Sequence, residues 1–80
     1  MSAPHQMLRD VLAERHLSQA QLAEMTGRDR PWVSRVLSGK YPLGPSFALD
    51  LEAALGIRAE YWCRLQADWS VQQERDRRAR

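Results

Sequence analysis

Two short amphipathic segments meet at a single glycine, and few folds accept such a break. Upstream of Gly27, the run from Gln19 to about Met25 carries Ala20, Leu22 and Ala23, with Met25 at the edge, as its packing side; Gln19, Gln21 and Glu24 are polar. Downstream, Val33, Val36 and Leu37 recur at i, i+3, i+4, the spacing of one helical face. Gly27 has no Cβ, so a positive φ carries no steric penalty and the chain can reverse sharply there. Two helices crossing steeply over so short a turn need a small side chain at their closest approach, and Ala23 meets that need.

Local signals frame both segments. Ser18 is an N-cap, and Gln21 three residues later completes a capping box. Asp29 caps the next helix and its charge suits the positive end of the helix dipole. Pro31 falls in the first turn, where it is tolerated, and Gly39 stands just past the helix end.

The rest of the chain reads as three further helices. Met1 to Ala3 is expected to be a loose tail. Pro4 opens a helix from about His5 to Arg15, with Leu8, Val11 and Leu12 on its apolar face. His16 closes it, since His is among the residues that best tolerate the left-handed conformation. Lys40 to Gly44 is a loop. Gly44, a weaker cap, precedes Pro45 at the start of a fourth helix, whose core face is Phe47, Ala48, Leu51, Ala54 and Leu55 and which stops at Gly56. A fifth helix begins near Ala59, with Tyr61, Trp62, Leu65 and Trp69 as its apolar residues, and continues into the charged tail before fraying. No strand alternation is visible. The expected fold is all-α, five helices, with a domain over residues 4–70 and a charged C-terminal tail over 71–80.

Eighty residues allow one domain with a modest core. The lone cysteine, Cys63, cannot make an internal disulfide, and with His5 and His16 it cannot complete a four-ligand zinc set. No metal and no cofactor are expected, and the compartment is read as reducing. No apolar run nears the roughly 18 residues of a membrane span, and no signal peptide is evident, so a cytoplasmic location is expected. Paired carboxylates, a nucleophile with its base, and a phosphate-binding glycine loop are all missing, which argues against an enzyme.

Charge is distributed unevenly. The net charge is +2, but Arg28, Arg30, Arg35 and Lys40 crowd the window from Gly27 to Gly44 against Asp29 alone. Clustered cations are the footprint of a polyanionic partner. Two helices joined by a tight turn, the second bearing exposed cations, make a helix-turn-helix, in which the second helix enters the major groove and the first braces it. Arg30, Trp32 and Arg35 are the candidates for the groove, with Ser34 a weaker one and Arg28 grouped with them. Gln19 offers a backbone contact to a phosphate. Lys40 and the Tyr41 hydroxyl are read as phosphate contacts, which position the protein without specifying sequence. A second basic cluster, Arg75, Arg77, Arg78 and Arg80, reads equally well as a solvated face.

Ser18-Gln19 through Gly39-Lys40 resembles the helix-turn-helix of the Xre, phage-repressor-like family. Pro4 with Leu8, Leu17-Ser18-Gln19, Leu22-Ala23, Gly27, Ser38-Gly39-Lys40, Ala48, Leu51, Ala54-Leu55-Gly56, Glu60-Tyr61-Trp62 and Leu65-Gln66-Ala67-Asp68-Trp69 are similar to its HigA branch. That resemblance implies a five-helix phage-repressor-like fold and a homodimer that binds operator DNA and represses its own operon. It also implies a HigB-type toxin partner, an mRNA-cleaving ribonuclease.

Four positions depart from the family pattern. Arg28 stands where an apolar residue is usual, so either its aliphatic stem covers the core or the turn packs differently. Trp32 is large for a groove position, leaving DNA contact, partner contact and partial burial all open. Arg58 and Gly44 replace capping Ser or Thr. Trp62 and Leu65 are read as core. Tyr61 and Trp69 are the candidates for a partner interface, because one face of a short helix cannot bury every aromatic. Cys63 is read as inert and His5 as solvated. Two alternatives remain: a Cro- or repressor-type regulator without a toxin, and an interaction module that no longer reads DNA.

Overall fold

Helix ends organise this chain. A computed structural model describes residues 3–80, with five helices: α1 (Pro4–Glu14), α2 (Gln19–Thr26), α3 (Arg30–Leu37), α4 (Pro45–Leu55) and α5 (Ala59–Arg78). Residues 1 and 2 of the expected loose start lie outside the described residues; Ala3 is buried and precedes α1 as its N-cap.

Three helices close in the same way. At the end of α1 the His16 N–H donates to Ala13 O at 3.2 Å and the Leu17 N–H to Leu12 O at 2.9 Å, with His16 at φ 57°. Gly27 after α2 and Gly39 after α3 repeat the pair of bonds at φ 71° and 84°. This double closure satisfies carbonyls that a helix end would leave open. At the other end of α2, Ser18 Oγ accepts from the Gln21 N–H at 3.1 Å, and Gln21 Oε1 accepts from the Ser18 N–H at 2.8 Å. Asp29 accepts from the Trp32 N–H at 3.0 Å and starts α3.

Helix α4 packs on α2 and α5, and α1 on α3 and α5. Between them lies a core of Leu8, Leu12, Leu22, Ala23, Val33, Val36, Leu37, Phe47, Ala48, Leu51, Leu55 and Trp62. Trp62 is wholly enclosed, and its indole Nε1–H has no hydrogen-bond partner among the described residues. Leu43 joins the core from the α3–α4 loop, a placement that periodicity does not signal because the residue belongs to no helix. Met25, at the margin of the expected packing side of α2, is exposed. His5 is half-buried rather than solvated: its ring meets Trp69 edge-on at 6.0 Å and lies against Gly39.

Distant side chains replace the missing caps. The Ala59 N–H at the start of α5 donates to Glu52 Oε2 at 2.7 Å, so α4 supplies what Arg58 does not. Glu60 adds a carboxylate in the first turn; its own backbone N–H, then Arg58, hold its pKa below the usual range. Arg15 donates to Leu55 O at 2.6 Å and closes α4 from α1. Gln66 Oε1 accepts from the Leu43 N–H at 2.9 Å and ties the α3–α4 loop to α5.

Helix α5 is continuous to Arg78, so most of the charged tail is helical. Twenty residues at about 1.5 Å each span about 30 Å. The domain measures 40 × 23 × 22 Å. Beyond Ser70 no residue of α5 is buried, and Val71 is exposed. Among the described residues, no helix is long and apolar enough to cross a membrane.

Candidate nucleic-acid interface

Helix α3 has one buried side and one open side. Val33, Val36 and Leu37 face the core, while Arg30, Ser34 and Arg35 are exposed. The seam that buries the first set necessarily turns the second outward. Lys40 and Tyr41 follow in the loop and are exposed as well. Gln19 opens α2 and is exposed, and a helix start leaves its first N–H groups free for an anion. Six of the eight residues expected at DNA therefore present open side chains.

Arg28 and Trp32 are placed differently. The Arg28 Nε and NH2 groups both donate to Asp50 Oδ2, at 3.0 and 2.9 Å, and NH2 also donates to Ser46 Oγ at 2.9 Å. Its guanidinium carbon lies 4.5 Å from the Trp32 ring centroid and 5.5 Å from that of Phe47. Trp32 is half-buried, edge-on to Phe47 at 4.9 Å. Of the three placements open for Trp32, partial burial is what the fold displays. For Arg28 the stem lies within the domain and the charge is met by α4.

The aromatic contacts continue toward the open side. Tyr41 lies 6.2 Å from Trp32, and the Arg35 guanidinium carbon lies 6.0 Å from the Tyr41 ring. Arg28, Trp32, Tyr41 and Arg35 thus form one row of planar groups. Backbone bonds from the Lys40 and Tyr41 N–H groups to Arg35 O, at 2.9 and 3.4 Å, hold the loop against the end of α3. Asp50, Ser46 and Phe47 are the residues that sequence reasoning left out of this site. The unusual arginine at position 28 was the signal, because a cation in a packed turn requires a counter-charge.

Of the two aromatics expected at a partner surface, Trp69 lines a groove that Tyr61 does not. Tyr61 is exposed and meets Trp62 edge-on at 5.6 Å. Trp69 is half-buried and lines a groove of about 680 Å³ with Lys40, Tyr41, Gln66, Arg77 and Arg80. Glu74 and Asp76 line the same groove, so its charge is mixed. A second hollow, of about 530 Å³, lies between α4 and the start of α5, where Leu49 is exposed beside Cys63.

A helix-turn-helix family model matches residues 8–62. The chain belongs to that helix-turn-helix family. The match takes in α2, the turn at Gly27, α3 and most of the core. An HTH-type transcriptional regulator of Escherichia coli K12, YddM, is 29% identical over 68 residues, covering 85% of this chain and 72% of that protein. Among solved structures, the antitoxin GraA superposes with a TM-score of 0.92 at 25% identity, over 98% of this chain and 85% of its own. The Pseudomonas aeruginosa antitoxin HigA, solved with the higBA promoter, superposes with a TM-score of 0.86 at 26% identity, over 91% and 80%. The resemblance to HigA-type antitoxins read from the residues is thus matched by structures of that type.

Proposed function

We propose that this chain is a sequence-specific DNA-binding repressor of the HigA antitoxin type, acting in the cytoplasm as a homodimer. One observation carries the reading: Arg30, Ser34 and Arg35 stand open on α3, flanked by Gln19, Lys40 and Tyr41. Arg30 and Arg35 are assigned to base edges, where a bidentate arginine–guanine contact contributes about 1–3 kcal/mol of discrimination. Gln19, Lys40 and Tyr41 are assigned to phosphates, and Ser34 to either. A symmetric dimer would read two half-sites about one helical turn apart. The HigA structure with promoter DNA supports this reading of the fold. Neutralisation of a HigB-type ribonuclease toxin is the second part of the proposal, and the similarity to antitoxin structures supports it. Tyr61 and Trp69 are assigned to partner contacts.

Gel shifts at stated salt test the DNA reading. The duplex upstream of the chain's own gene should bind more tightly than random duplex of equal length; equal binding would sink the assignment. Co-expression with the product of the adjacent gene tests the toxin. Restored growth and a stable complex support the antitoxin. Without them the protein is a regulator lacking a toxin.

A further inference from the structure

Arg28 and Asp50 occupy a position that neither core packing nor groove contact accounts for. Arg28 sits in the α2–α3 turn, which joins the two helices of the helix-turn-helix. Its N–H donates to Ala23 O at 3.0 Å, so its backbone closes α2 while its side chain reaches α4. There it meets a fixed frame: two donors on Asp50 Oδ2, one on Ser46 Oγ, and its guanidinium carbon over the Trp32 ring. The guanidinium fork suits this arrangement because it is planar and holds several donors in fixed directions, which an ammonium cannot do. Trp32 is in turn clamped by Phe47 and leads through Tyr41 to Arg35.

We propose that the Arg28–Asp50 pair is a latch that sets the pose of α3 and the direction of Arg35, with Asp50 a positioning residue for DNA recognition. Arg28 then acts from inside the domain and makes no phosphate contact. This rests on the DNA-binding reading above and adds to it a determinant of specificity that touches no base. Both side chains keep some solvent access, at 27% and 35% exposure, so the latch is a geometric constraint more than a source of stability.

The sign of one effect separates the latch from simple electrostatics. Removing an acidic charge from a DNA-binding protein ordinarily tightens its grip on any DNA. The latch predicts the opposite for specific DNA. In Asp50→Asn the α3 pose loosens and Arg28 is freed. Affinity for the duplex upstream of the chain's own gene should fall on the order of tenfold, while affinity for random duplex holds or rises. Arg28→Met, which keeps an aliphatic stem, should show a similar loss without lowering the salt-dependence slope. Arg28→Lys should not rescue it, and the double variant Arg28→Met/Asp50→Asn should lose no more than either single change.

Both duplexes are titrated at several salt concentrations for the wild type and all four variants, each first shown by thermal melting to be folded at the assay temperature. An Asp50→Asn protein that binds the promoter duplex as tightly as wild type, or more tightly, overturns the latch. So does Arg28→Met if its slope drops by the roughly 0.9 of one lost phosphate contact, because Arg28 then touches DNA directly. Wild-type protein that does not distinguish the two duplexes overturns the DNA reading itself, a result visible before any variant is made.

Discussion

Arg35 and Lys40 stand five residues apart, and the proposed reading gives them different tasks. Arg35 projects from the last turn of α3, and Lys40 from the loop that α3 hands the chain to. Arg35→Ala should cost about 1–3 kcal/mol on the specific site and relax preference at one base position. Lys40→Ala should weaken specific and random DNA alike and lower the salt slope by about 1. Binding isotherms on a set of single-base variants, repeated at several salt concentrations, distinguish the two patterns. His16 gives a residue-scale prediction for stability. A side chain at φ 57° strains the backbone by about 1–2 kcal/mol. Glycine removes that strain but makes the unfolded chain freer by about 0.4–1 kcal/mol. The first effect is the larger, so His16→Gly should stabilise the fold by about 0.5–1 kcal/mol, measured by denaturant unfolding.

Among the elements, what was legible in the residue order is what lies within a few residues. The Ser18–Gln21 box, Asp29 before α3, and the left-handed positions at His16, Gly27, Gly39 and Gly56 are local events with local signals. The pairings that hold elements together were not legible. Arg28 with Asp50, Gln66 with Leu43, and Arg15 with Leu55 are separated by 22, 23 and 40 residues. No periodicity links them; only the packed fold brings them together. Arg58 illustrates the difference, since the absent cap was readable and the Glu52 carboxylate that replaces it was not. The candidate site divides the same way. The open side of α3 follows from the seam Val33, Val36 and Leu37, whereas the inward turn of Arg28 depends on α4.

The last turns of α5 carry a local pairing of their own. Glu74 accepts from Arg78 Nε at 2.8 Å and from Arg77, and these bonds, Arg77 first, hold its pKa below the usual 4.5. A lowered folded value means that the stabilisation is present above the unfolded pKa and is lost as pH falls through the folded one. Far-UV circular dichroism should therefore show α5 losing helix content below about pH 4.5. The Glu74→Gln variant should lack that part of the transition.

For the whole molecule, one side chain stands out. Trp62 is the largest fully enclosed residue of the core, and it comes from α5, which packs on α1 and α4. Trp62→Ala should cost about 3–5 kcal/mol, a large part of the roughly 5–15 kcal/mol that holds a small domain folded. Trp62→Phe should cost distinctly less, because it keeps an aromatic ring and removes an N–H that has no partner among the described residues. Chemical denaturation of the two variants beside wild type checks that order.

The three tryptophans lie in three unlike surroundings: Trp62 sealed in the core, Trp32 beneath a guanidinium on α3, and Trp69 edge-on to an imidazole of α1. The chain therefore carries its own optical labels. With the other two indoles replaced by phenylalanine, ultraviolet emission from Trp32 becomes a direct gauge of the recognition helix, readable in solution without attaching a dye.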